Sequence, residues 1–174
     1  MARRGLPPLY LPTPLGGPVI SSVPTISPID APPSRIGDRR LYVGNALDGN
    51  NPALLESLNV TLVLNVSDNP TKMESEHVRY VHYPLKDDAT QLLATPIEVT
   101  ANIIKDELAK DGCVLVHCTM GISRAPAIVM GYLMTAEGLS FDKTKELVFS
   151  ARSRAEPNFS FMAQLAQLSK ISPI

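Results

Sequence analysis

Apolar and polar positions divide the chain into two unlike parts. Residues 1–34 carry prolines at 7, 8, 12, 14, 18, 24, 28, 32 and 33. Proline locks φ and lacks the amide proton that helices and sheets use. This part therefore reads as a disordered or polyproline-like tail. Near Ile36 the pattern changes to short apolar runs set between amphipathic stretches. "RLYVGN" (40–45), "VTLVLNV" (60–66), "VRYVHYPL" (78–85) and "CVLVH" (113–117) are β-branched or alternating and predict strands. Asn51 before Pro52 predicts a capped helix over 51–58. Thr95 and Pro96 predict the start of a longer one. Its face is Ile97, Ala101, Ile104 and Leu108, and Gly112 follows its end. Three more helices are predicted: the apolar stretch 125–138, 140–152 capped by Ser140, and 158–168 capped by Asn158. Strands interleaved with helices predict an α/β domain over 35–174, with a mostly parallel twisted sheet and helices on both faces.

Composition changes this picture little. The 174 residues are 44% hydrophobic and 19% charged, as expected for one globular domain beside a tail. A net charge of −1 and no basic run argue against a nucleic-acid partner. No apolar run approaches a membrane span. The basic start "MARRGLPPLY" is broken by prolines and followed by no signal core, so a cytoplasmic or nuclear location is expected. The two cysteines, Cys113 and Cys118, would lie roughly 16 Å apart along a strand, too far for a disulfide.

The candidate chemistry sits in "VHCTMGISRAPAIVM" (116–130), where a strand runs through a short loop into a helix. Such a loop can aim several backbone amides and a helix N-terminus at one anion. Gly121 frees the backbone to curl, and Arg124 supplies a planar fork matched to a phosphoryl group. Cys118 at the base is placed for in-line attack on phosphorus. The helix dipole and Arg124 are expected to favour its thiolate. A free cysteine alone would more simply be a buried core residue. His117, Gly121 and Arg124 at this spacing argue for the site.

His-Cys-x5-Arg resembles the signature of the cysteine-based protein tyrosine phosphatases, and the wider chain resembles their small, atypical dual-specificity branch. "LYVGN", "LVLNVS", "VHYPLKDD" and "PNFSFMAQL" fall in that family's order across roughly residues 36–170. The resemblance implies a cysteinyl-phosphate intermediate on Cys118 and phosphate held by Thr119, Met120, Gly121, Ile122, Ser123 and Arg124. It implies neither metal nor other cofactor, which fits three histidines without a ligand cluster. It also implies a general acid shortly after Pro84. Asp87 fits better than Asp88, although paired carboxylates otherwise suit a solvated turn. Asn65 resembles a residue that braces the phosphate loop, or else ends a strand in a turn. His117 would orient the loop, and Ser123 would bond its backbone. Arg154 resembles a residue meeting a second phosphate, though a surface arginine is the plainer reading. Family members usually have Ser or Thr where this chain has Ala125, a hydroxyl that can serve the cysteine sulfur.

For substrate, the loop lacks the lysines common in phosphoinositide-directed relatives, and the chain lacks the Trp a glucan enzyme would use. A phosphoprotein is the expected partner, with phosphotyrosine and phosphoserine/threonine both accepted. The other readings are a phosphate-binding scaffold with little turnover, or a phosphatase for a glucan or phosphoinositide. "RRGLPPLYL" (3–11) resembles a docking peptide for a mitogen-activated kinase; a floppy tail is the plainer reading.

Overall fold

The computed structural model describes residues 31–70, 73 and 75–171. The tail over 1–30, with its expected disorder and its kinase-docking resemblance, lies outside the described residues. A five-stranded sheet runs in the order β1-β2-β5-β3-β4. Its strands are β1 (Ser34–Arg35), β2 (Leu41–Gly44), β3 (Leu62–Asn65), β4 (Arg79–His82) and β5 (Val114–His117). All neighbours are parallel except β1, which pairs antiparallel with β2. The helices are α1 (Ala46–Gly49), α2 (Pro52–Ser57), α3 (Ala94–Leu108), α4 (Arg124–Thr135), α5 (Phe141–Ala151) and α6 (Phe159–Ile171).

Alternation along the strands divides the core between two faces. Leu62, Leu64, Val114 and Val116 join the large core with residues of α3 to α6, among them Ile104, Ile128, Val148 and Phe161. Val63, Leu115 and Cys113 join a smaller core with Leu55 of α2. The two faces are therefore covered unequally. Register matters more for the site. Gly44, His117 and Asn65 stand level across the three adjacent strands β2, β5 and β3. Cys118 thus leaves the carboxyl end of the central strand, where open α/β sheets bind ligands.

Helix starts follow side-chain chemistry in most cases. Asn51 caps Leu54 N, Ser140 caps Lys143 N, and Asn158 Oδ1 accepts from Phe161 N at 3.0 Å. The expected Thr95 cap is corrected: α3 begins at Ala94, Leu93 precedes it without a side-chain cap, and Thr95 lies inside the first turn. Leu93 N donates instead to Gln164 Oε1 of α6. After α3 the left-handed residue is Asp111, φ 61°, one place before Gly112. Ser34, assigned to the tail by its prolines, pairs with Val43. Among the described residues no helix is long and apolar enough to cross a membrane.

Candidate active site

The residues after β5 curl into a loop that closes at Arg124, the first residue of α4. Cys118 is buried at its base, and its Sγ accepts a hydrogen bond from Gly121 N at 3.2 Å. Gly121 takes φ 66°, and a Cβ there would come within 2.4 Å of Gly44 O. The turn therefore requires glycine on both conformational and steric grounds. His117 is also buried. Its Nδ1 lies 3.4 Å from Cys118 O, and its Nε2 has no hydrogen-bond partner among the described residues. Burial lowers its pKa to about 4, so the ring is neutral near pH 7.

Arg124 is buried and held on three sides. Its Nη1 donates to Asp68 Oδ1 and, at 3.1 Å, to Leu85 O. Its Nη2 donates to Thr119 Oγ1 at 3.0 Å. The buried Nε has no hydrogen-bond partner among the described residues and lies 3.7 Å from Asp87 Oδ2. An unsatisfied guanidinium donor is costly in a protein interior, and this arginine lines the same cleft as Cys118. Burial pushes the guanidinium pKa down, which leaves a group of this kind charged near pH 7.

Asp87 and Asp88 separate clearly. Ser123 Oγ donates to Asp87 Oδ1 at 2.6 Å, and Asn158 Nδ2 donates to the same oxygen at 2.9 Å. Asp88 is fully solvated and accepts from Thr90 N and Oγ1, bonds that hold its pKa below the ordinary value. Asp87, Cys118, Thr119, Met120, Ile122, Ser123 and Arg124 line one cleft of about 250 Å³. A larger cleft of about 480 Å³ between α2 and β4 shares none of these residues.

Other expected site residues have more specific surroundings. Ser123, expected to serve the loop backbone, accepts from Asn158 N at 3.1 Å and turns its hydroxyl on Asp87. Asn65 Oδ1 accepts from Ser67 N and Oγ, and its Nδ2 donates to Asn69 O at 2.7 Å. Those bonds shape the turn that brings Asp68 to Arg124. Arg154 is half-buried rather than a surface arginine, and its Nε and Nη1 have no hydrogen-bond partner among the described residues.

Two single residues and one pair escaped the sequence reading. Arg152, at the end of α5, is buried beneath the loop. Its Nε donates to Gly121 O at 2.6 Å, while Nη1 reaches Val43 O, Pro32 O and Ser34 Oγ. Asp68 is the other. Neither stands in a local motif, since both act across long sequence separations. Asn45 and Asp48 form a capping box at α1, which Ala46 N joins to the loop through Thr119 O. The Asn-x-x-Asp spacing is a signal that could have found it.

Residues 41–171 match the family described as "Dual specificity phosphatase, catalytic domain". The chain belongs to that family. It is 35% identical over 127 residues to human dual specificity protein phosphatase 5, covering 73% of this chain and 33% of that protein. It thus spans about a third of that relative's length. Identity to dual specificity protein phosphatase 1B of Arabidopsis thaliana is 35% over 130 residues, covering 75% of this chain and 78% of that one. The crystal structure of human DUSP28 superposes with a TM-score of 0.77 at 32% identity, covering 83% of this chain and 97% of that chain. The α/β phosphatase fold expected from the sequence is thereby shown.

Proposed function

We propose that this chain hydrolyses phosphate monoesters on proteins, accepting phosphotyrosine and phosphoserine/threonine, through a cysteinyl-phosphate intermediate. The observation that carries this reading is the convergence of Cys118, Arg124 and Asp87 on one cleft. Sγ of Cys118 attacks phosphorus as the bond to the leaving oxygen breaks. Arg124 Nε and the loop amides hold the phosphoryl oxygens, and Asp87 gives its proton to the departing oxygen. Water then attacks phosphorus, Asp87 accepts its proton, and the S–P electron pair returns to sulfur. Thr119 and Ser123 act on Arg124 and Asp87, while Gly121 supplies an amide. The working unit is the domain over 35–174, with β1 included from Ser34. A cytoplasmic or nuclear setting goes with this reading. The "RRGLPPLYL" peptide would make a mitogen-activated kinase a partner.

A phosphate-holding scaffold with slow release is the second reading. Ala125, fully buried and without a hydroxyl for the sulfur, favours it. The test is steady-state turnover of an aryl phosphate, a phosphopeptide panel, a phosphoinositide and a phosphorylated glucan by the full chain. Phosphopeptide turnover above the lipid and the glucan is expected. Tight oxyanion binding without turnover of any substrate would sink the enzyme reading and favour the scaffold.

A further inference from the structure

Five large apolar side chains are notably exposed among the described residues: Leu47 at 57%, Leu92 at 72%, Val99 at 38%, Met120 at 43% and Phe159 at 89%. Exposed apolar residues scattered singly need no explanation. These are not scattered, because four of the five belong to segments that build the catalytic cleft. Met120 lies in the phosphate loop and lines the cleft itself. Leu47 sits in α1, which is bonded to the loop through Ala46 N and Thr119 O. Phe159 follows Asn158, whose side chain holds Asp87. Leu92 ends the acid-bearing segment, which is fastened to α6 through Gln91 O, Leu93 N and Gln164. Ser160 Oγ also reaches Ala89 O at 3.4 Å, joining the base of Phe159 to that segment.

We infer that Leu47 and Met120 on the loop side, with Leu92 and Phe159 on the acid side, form an apolar rim that selects phosphopeptides bearing apolar side chains around the phosphoresidue. This rests on the phosphatase reading above. The occupant is a substrate peptide because Met120 lines the phosphate cleft itself, and the other three stand beside residues bonded to its loop or to its acid-bearing segment. Met120 and Ile122 extend the same apolar character into the cleft. Burial of such side chains against apolar partners is non-directional and scales with area, so the rim discriminates composition rather than one fixed sequence.

The test compares kcat/KM on matched phosphotyrosine peptides whose flanking positions are Leu and Phe in one set, and Ser and Asp in the other. A small aryl phosphate serves as reference. The full chain should prefer the apolar set by about tenfold or more. The triple variant Leu47→Ala, Leu92→Ala, Phe159→Ala should lose that preference and keep aryl phosphate turnover, since these side chains are solvent-exposed. Equal turnover of both sets by the unaltered chain would overturn the rim while leaving the phosphatase reading standing. Turnover of the aryl phosphate with no phosphopeptide accepted would overturn the protein-substrate reading itself. Sedimentation and vesicle flotation complete the test. A dimer, or binding to neutral phospholipid vesicles, that the triple variant abolishes while peptide preference stays unchanged would give the rim to a second copy or a lipid surface and overturn the proposal.

Discussion

The phosphate loop and the acid-bearing segment meet at Ser123 and Asp87, yet they are held in different ways. The loop is built from within. Its stem is the central strand, its exit is the buried helix α4, and Arg152 braces its backbone from beneath. The segment after Leu85 has no such frame. Its residues 86–91 are mostly exposed, and its links to the body come from side chains of Ser123, Arg124, Asn158, Ser160 and Gln164. A cysteine in a braced loop thus faces a carboxylate that distant side chains hold in position. Segments with few buried contacts open more readily than a core strand. The acid side is therefore where substrate identity should register most, and the cysteine side is where loss of one atom should be absolute.

The largest effect expected follows from that division. Cys118→Ser should lower turnover of every phosphate ester by on the order of a thousandfold or more. Phosphate or vanadate should still bind, because the cradle is backbone and Arg124. Titration of vanadate against intrinsic fluorescence, beside initial rates, separates the two. Loss of oxyanion binding together with turnover would mean that the thiol also supports the loop's shape. Arg124→Lys should weaken binding itself, since an ammonium cannot replace a fork held by Asp68, Leu85 and Thr119.

Asp87→Asn tests the other half. It should slow esters with poor leaving groups by about a hundredfold or more and barely touch an activated aryl phosphate, because only a basic leaving oxygen needs the proton. Asp88→Asn should change neither, as its carboxylate serves Thr90. A plot of log rate against leaving-group pKa should be steep for the Asp87 variant and shallow for the parent chain. Equal slopes would remove Asp87 from the reaction.

A smaller effect concerns stability. Burial lowers the His117 pKa to about 4 from 6.5. The unfolded chain therefore takes up this proton at higher pH than the folded one. Its contribution is fully present above pH 6.5 and falls away as the pH drops toward 4, by about 3 kcal/mol at the limit. Urea unfolding at pH 7.5 and 4.5 should show this loss for the parent chain and a smaller loss for His117→Asn. Gly49 presses on the same ring, since a Cβ there would sit 2.4 Å from Nε2. Equal losses in both proteins would assign the acid sensitivity to other groups.

How much of this could be read beforehand follows the same division. The loop is a contiguous motif between a strand and a helix, so Cys118, Gly121 and Arg124 were legible from spacing. The four expected strands and the five expected helices are present, because each carries its own periodicity. The two missed elements, β1 and α1, span only 2 and 4 residues, too few for a periodic signal. Arg152 and Asp68 were illegible for another reason. Arg152 meets Gly121 31 positions away, and Arg124 meets Asp68 56 positions away. Such partners exist only once β3, β5 and α5 have come together.

Ala125 makes the last comparison, between making and breaking the phospho-enzyme. It is fully buried in the second position of α4 and belongs to the same core as Cys118. Gly121 N donates a hydrogen bond to Sγ. When water cleaves the S–P bond, the sulfur leaves with the electron pair and gains from each donor that faces it. One hydrogen bond to a charged group contributes about 1.5–3 kcal/mol, or roughly tenfold to a hundredfold on that step. Formation of the intermediate consumes the thiolate, so a further donor there does not help it. The parent chain should therefore show a burst of aryl alcohol under rapid mixing, then slow turnover. Ala125→Ser should raise kcat by about tenfold and shrink the burst, leaving kcat/KM almost unchanged. Linear product release from the first turnover, with kcat unmoved by the serine, would mean that the Gly121 amide already suffices and that Ala125 serves only as a first-turn helix residue before Pro126.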